Sequence, residues 1–114
     1  MKEFFRWQKG RQGSGYDKML ILQWANPLVP FDVYLIKYPE GSRIDTHTDP
    51  VEGWRHVRIN IVLKQAKKGG VFSCEGRIFG KQRLNIFYSD MPHQVSKIEK
   101  GSRLLLSIGF LKRP

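Results

Sequence analysis

Apolar and polar residues alternate along this chain in short runs, and the runs are cut by turn residues about every ten positions. The punctuation is Gly10 to Gly15, Asn26-Pro27, Pro39-Glu40-Gly41, Gly69-Gly70, Gly76, Gly80, Asp90-Met91-Pro92 and Gly101. Strands of four to eight residues bounded by such clusters read as an all-β sandwich or barrel. The pattern predicts strands over 17–24, 31–38, 43–48, 57–64, 70–74, 77–79, 83–88, 93–98 and 102–110. No segment repeats apolar residues at helical spacing for three turns, and a short helix near Met1 to Trp7 is the one weak helical signal.

Two strands carry a particular alternation. In Arg58-Ile59-Asn60-Ile61-Val62-Leu63, the isoleucines and Leu63 share a face opposite Arg58, Asn60 and Val62. In the run from Arg103 to Phe110, Leu104, Leu106, Ile108 and Phe110 oppose Arg103, Leu105, Ser107 and Gly109. Successive strand side chains point to opposite sides, so each strand has one oily face and one mixed face. The mixed face suits either solvent or the lining of a polar pocket, and alternation does not choose between them.

At 114 residues, with 40% hydrophobic and 26% charged residues, the chain suits one globular domain. Single-domain organisation over 1–114 is expected, with a covering segment at 1–30 and a core at 31–111. No apolar run approaches the roughly 18 residues of a membrane span, and the mixed stretch Lys2 to Trp7 is no signal-peptide core. The lone Cys74 excludes an internal disulfide and suits a reducing cytoplasm. The formal charge of +10, from 20 Lys+Arg against 10 Asp+Glu, attracts anions in general, but the basic residues follow no spacing of a nucleic-acid-binding motif. The glycines from Gly10 to Gly15 lack the strand-then-helix setting of a phosphate loop.

The candidate chemistry begins with Thr46-His47-Thr48-Asp49-Pro50. An imidazole and a carboxylate two residues apart project to the same side of an extended chain. His93, just after Pro92, is a candidate third ligand. Two histidines and one carboxylate on one face of a metal leave other positions open, which suits non-haem Fe(II). Most His-x-Asp pairs bind nothing, so the surrounding residues matter. Tyr38-Pro39-Glu40-Gly41 precedes the pair and Gly69-Gly70-Val71-Phe72 follows it. Then comes Arg83 to Asp90, with Phe87, then His93-Gln94-Val95, then Gly101-Ser102-Arg103.

This order, over about residues 31 to 111, resembles the 2-oxoglutarate- and Fe(II)-dependent oxygenase superfamily, and its prolyl-hydroxylase-like branch and small phage-type members in particular. The resemblance implies a double-stranded β-helix, the cupin-like jelly roll, with little helix. It implies Fe(II) held by His47, Asp49 and His93, with 2-oxoglutarate and O2 as co-substrates, and hydroxylation with release of succinate and CO2. Arg103 matches the residue that grips the far carboxylate of 2-oxoglutarate, and a guanidinium fork suits that carboxylate. Tyr38 matches a tyrosine that contacts the co-substrate. Tyr34 and Ile36 share its face, Ser107 shares that of Arg103, Asn60 or Arg58 lines the pocket, and Val95 is pocket wall. No tyrosine on the 57–64 strand answers the family pattern.

The outward apolar face, Leu104, Leu106, Ile108 and Phe110 with Ile59, Ile61 and Leu63, requires a cover. Phe4, Phe5, Trp7, Leu20 and Leu22, or a second subunit in a homodimer, are expected to supply it. His56 reads as a surface or linking histidine, and Trp24 and Trp54 as packing. The substrate is open: a protein, a nucleic acid or a small molecule. The competing readings are a non-enzymatic jelly-roll binding module, a 2-oxoglutarate-independent cupin-type metalloenzyme, and a basic nucleic-acid-binding protein.

Overall fold

The structure, a computed structural model, describes residues 7–9, 15–24, 31–81 and 83–113. They form twelve strands: β1 (Trp7–Lys9), β2 (Asp17–Trp24), β3 (Phe31–Tyr38), β4 (Ile44–His47), β5 (Arg55–Lys64), β6 (Lys68–Gly69), β7 (Phe72–Cys74), β8 (Arg77–Lys81), β9 (Leu84–Tyr88), β10 (His93–Val95), β11 (Ile98–Lys100) and β12 (Arg103–Lys112). A seven-stranded sheet runs β1-β2-β3-β12-β5-β9-β8, and it faces smaller sheets ordered β4-β10-β7 and β11-β6. All these pairings are antiparallel. No helix is found among the described residues, and none there is long and apolar enough to cross a membrane.

The strand predictions hold with local changes. The expected strand at 70–74 is shortened to β7, and a separate strand β6 precedes it, because Gly69 and Gly70 both take positive φ, 78° and 66°, and turn the chain between the two. The expected 93–98 strand likewise divides into β10 and β11. Residues 1–6, where the short helix was read, lie outside the described residues. Trp7 itself opens β1, an edge strand that the pattern did not show.

The mixed faces turn inward. Along β12, Arg103, Leu105, Ser107 and Gly109 are buried, while Leu104, Leu106, Ile108 and Phe110 are only half-buried. Cross-strand partners share a face, so the ladder sets rows across the sheet. Tyr34, Ser107, Asn60 and Asn85 form one inward row, and Asp32, Gly109, Arg58 and Phe87 form the next. Between the sheets, Tyr16, Tyr38, Ile44, Val95, Ile98 and Leu105 make the core, with Ile36, Ala66 and Phe72 packed on it. Fully burying a side chain such as Leu105 contributes roughly 1.5–3 kcal/mol, and these residues clamp the small sheets onto the large one.

The outer face needs a correction. The register pairs Leu20 with Tyr34 but Leu22 with Val33, so a bulge at Ile21 puts the two leucines on opposite faces. Leu20 is therefore in the interior and covers nothing outside, whereas Leu22 remains 46% exposed. Leu63 is the extra residue where β5 slips against Leu104 and Leu105, and it too is exposed. Trp7 lies exposed on the edge strand, and Phe4 and Phe5 lie outside the described residues. No third layer of described residues covers the face.

The β6–β11 seam allows no side chain at Gly69. A Cβ there would stand 2.1 Å from the Lys97 carbonyl oxygen, at a φ of +78°. Gly69→Ala is expected to lower the unfolding free energy by about 2–4 kcal/mol, measured by urea denaturation. A loss under about 0.5 kcal/mol, in the range of an ordinary surface change, would contradict this packing.

Candidate metal centre

His47 closes β4 and His93 opens β10, and the two residues stand directly opposite each other in the β4–β10 ladder. Their rings lie 4.2 Å apart between centroids. Asp49 follows β4, and its backbone is tied at both ends. Its N–H donates to the Ser89 carbonyl at 2.8 Å, and its carbonyl accepts from His56 Nδ1 at 2.9 Å. The turn before His93 is closed by the Met91 N–H on the Tyr88 carbonyl, 3.1 Å. Three separate segments are thus held by backbone bonds before any metal is considered.

Asp49 Oδ2 lies 3.3 Å from His47 Nε2 and 3.4 Å from His93 Nε2. One ligand atom from each of the three residues falls within 4.8 Å of the others. Neighbouring ligands on an ion with bonds of roughly 2.1 Å lie about 3 Å apart, so the spacing suits one small cation. The tautomers agree. His47 Nδ1 donates to the Asp45 carbonyl at 2.8 Å, and His93 Nδ1 donates to the Met91 carbonyl at 2.9 Å. A carbonyl only accepts, so each Nδ1 carries the proton and, in the neutral ring, each Nε2 presents a lone pair toward Asp49. Three electron-rich atoms aimed at one point repel unless a cation or protons stand between them. With protons there, burial would still raise the Asp49 pKa, but the hydrogen bonds and charge of the two protonated rings outweigh it and hold the carboxyl well below its usual range. The donor set therefore fits a divalent ion of the Fe(II) type.

A cavity of about 320 Å3 opens over the triad. Tyr34, Ile36, Tyr38, Asn60, Val95 and Ser107 all line it, as do Phe72 and Phe87. Tyr38 is buried, and that burial pushes its pKa far up, with Arg103 opposing, so its hydroxyl is a proton donor at ordinary pH. Arg103 is placed differently from the other candidates. It lies behind Tyr38, 5.4 Å from that ring, and lines a neighbouring cavity instead. Ser107 and Asn60 are engaged with protein. Ser107 Oγ donates to Asn60 Oδ1 at 2.7 Å and accepts from Arg58 Nε at 2.7 Å.

Arg58 organises more of this pocket than its sequence reading as a lining residue implied. Its Nη2 also meets Asp32 Oδ1 at 2.8 Å, and its Nη1 meets His56 Nε2 at 3.3 Å. His56 is accordingly a link, not a surface residue: Nδ1–H holds Asp49 and Nε2 accepts from Arg58. Asp32 had no signal of its own in the sequence. Gly109 stands opposite Arg58, and a Cβ there would come within 2.2 Å of Arg58 Nη1, so its lack of a side chain makes room for the guanidinium. Tyr34 sits between two cations, with Lys18 Nζ 5.5 Å and Arg58 Cζ 5.9 Å from its ring centre.

Ser107→Ala would leave the Asn60 carbonyl oxygen and Arg58 Nε without their shared partner in a site only 1% exposed. A loss of about 1–3 kcal/mol is expected in chemical denaturation. Unchanged stability would mean that water satisfies both groups equally well.

No family model matches the chain, and no curated protein matches it. Solved structures do. A prolyl-4-hydroxylase from Pseudomonas putida superposes with a TM-score of 0.60 at 19% identity, over 87% of this chain and 72% of that one. KdgF from Halomonas sp. gives 0.58 at 17%, over 99% and 96%. An RmlC-like cupin protein from Desulfovibrio desulfuricans gives 0.55 at 17%, over 95% of each chain. A chain from the Rhodobacter sphaeroides complex of SigE with the anti-sigma ChrR gives 0.54 at 19%; 91% of this chain is covered, and it spans about half of that one, 47%. At such identities the likeness establishes architecture: this is a jelly roll of the cupin fold.

Proposed function

We propose that the protein is a 2-oxoglutarate- and Fe(II)-dependent oxygenase that hydroxylates a substrate yet to be identified. The observation that carries the reading is the convergence of His47 Nε2, Asp49 Oδ2 and His93 Nε2, with both Nδ1 protons tied to backbone carbonyls. The motif order around the triad and the shared fold of the Pseudomonas putida prolyl-4-hydroxylase support it. Bound Fe(II) would supply open positions for 2-oxoglutarate and O2, and with them the oxidative decarboxylation to succinate and CO2 that drives C–H hydroxylation.

The chain's own residues do the rest. The two imidazoles and the Asp49 carboxylate would hold the ion. Tyr38 donates a hydroxyl from a buried position at the cavity wall. Phe72 and Phe87 lie beside His93, with ring centroids 6.4 Å and 5.2 Å away, and would keep water from that side of a bound ion. Arg103 takes the far carboxylate of 2-oxoglutarate, which would have to reach past Tyr38.

A second reading, a cupin-type metalloenzyme that uses no 2-oxoglutarate, is favoured by one specific observation. Arg103 lines the adjoining cavity, and Ser107, the other polar residue of that strand face, already serves Arg58 and Asn60.

Anaerobic titration of Fe(II)-loaded protein with 2-oxoglutarate separates the readings. The oxygenase should show a saturable visible band of the chelate. Asp49→Ala and His47→Ala should abolish it, and Arg103→Ala should weaken co-substrate affinity at least ten-fold, the effect of losing one charge-assisted pair. Bound iron without the band would support the 2-oxoglutarate-independent enzyme. Absence of iron binding would leave a jelly-roll binding module.

A further inference from the structure

The cations are spread along the sequence, and the fold gathers six of them at one end of the large sheet. Lys37, near the end of β3, and Lys64, the last residue of β5, flank Leu104 in one cross-strand row. Lys64 Nζ donates to Ser102 Oγ at 3.2 Å, which holds it against the turn into β12. Arg83, just before β9, donates from Nη1 to the Leu63 carbonyl at 3.2 Å. Lys67 donates its N–H to the Lys100 carbonyl at 2.9 Å, and a Cβ on Gly101 would stand 3.3 Å from Lys67 Cγ. Lys68 is the ladder partner of Lys100. Four separate stretches of chain thus build one continuous basic surface.

All six cations are exposed, and none enters an ion pair among the described residues. Two carboxylates lie at this end. Glu40 accepts the Gly101 N–H at 3.1 Å, and Glu99 Cγ lies beside Gly69. Neither forms an ion pair with a lysine among the described residues. Like charges directly opposite in an antiparallel pair are destabilising, and Lys68 stands opposite Lys100 in this way. Salt screens that repulsion; an anion laid across the pair turns it into attraction.

The make-up of the surface selects the anion. Five of the six cations are lysines, point charges on flexible stems that suit phosphate contact without directed pairing. Duplex nucleic acid carries one charge per about 1.7 Å of its axis, whereas an extended acidic peptide offers at most one per about 3.3 Å. The duplex is the denser match for cations on neighbouring strands. The six are interleaved with Leu104, Ser102 and Gly101, not with aromatic side chains on which an unpaired base could stack. A lipid surface takes up apolar area as well as charge, and Leu63, beside Lys64, supplies little of it.

We propose that this basic end binds the phosphate backbone of double-stranded nucleic acid without reading its sequence. None of the six cations lines the cavity over the triad, so the interaction needs no metal and goes beyond the oxygenase reading.

The experiment is fluorescence anisotropy of a labelled DNA duplex of about 20 base pairs, titrated with metal-free protein at a series of salt concentrations. Saturable binding is expected, with log affinity falling against log salt at a slope of about −4 to −5, since each neutralised phosphate contributes about −0.9. The double variant Lys64→Gln, Lys68→Gln should weaken binding more than about ten-fold at about 0.1 M salt and make the slope shallower by about 2. Lys112→Gln, at the other end of β12 and about 26 Å from Leu104 at 3.3 Å per residue, should change neither. His47→Ala should also change neither, so failure of the oxygenase reading leaves this result standing. The proposal is overturned by absence of saturable binding, or by equal weakening in Lys112→Gln, which would mean diffuse attraction to a chain of charge +10. It is also overturned if phosphatidylserine vesicles or polyglutamate bind more tightly than the duplex at the same salt, which would give the surface to a membrane or to an acidic protein segment.

Discussion

The pairing of β4 with β10 is the constraint on which the site depends. It sets His47 opposite His93, and both imidazoles reach Asp49 because its loop is bonded to Ser89 and His56. A strand has a side-chain period of two, so a slip of one residue would turn either histidine to the other face. The register is guarded by packing. Ile44 and Val95 are opposed in the same ladder and buried in the core, so a slip that exposed the histidines would also pull both from it. Metal geometry and core stability are here one requirement.

The large sheet supports this arrangement from across the interior, through polar contacts as much as apolar ones. Asp32, Arg58, Ser107 and Asn60 form a continuous network on its inner rows, and His56 joins that network to the Asp49 carbonyl. Buried polar groups of this kind are costly when half-satisfied and rigid when complete. Gly109 belongs to the network although it contributes no atoms to it, since its missing side chain is the space the guanidinium occupies. The result is a pocket whose wall is fixed relative to its ligands.

The two cavities divide the inside of the jelly roll by charge. The one over the triad mixes acids, imidazoles and cations, as suits a cation held by protein ligands. The other gathers cations alone. Phe72 borders both, and Arg103 meets the first only through Tyr38.

Much of this was present in one dimension. Alternation along 58–63 and 103–110 determined which residues share a face, and the turn glycines and prolines determined where strands stop. The His-x-Asp pair, the distal histidine and their spacing marked the candidate ligands. What alternation lacks is a sign: it separates two faces and does not say which is inside. Only the second layer, with Ile44, Val95 and Ile98 closing over Tyr38 and Leu105, made the mixed face the interior one. Tertiary structure also decided what depends on register between distant strands. The bulge at Ile21 sent Leu20 inward and Leu22 outward, Asp32 met Arg58 across 26 residues of chain, and Arg103 came to rest behind Tyr38 beside a cavity of its own. Such pairings are set by non-local packing, because a one-residue bulge costs little locally and reverses every side chain beyond it.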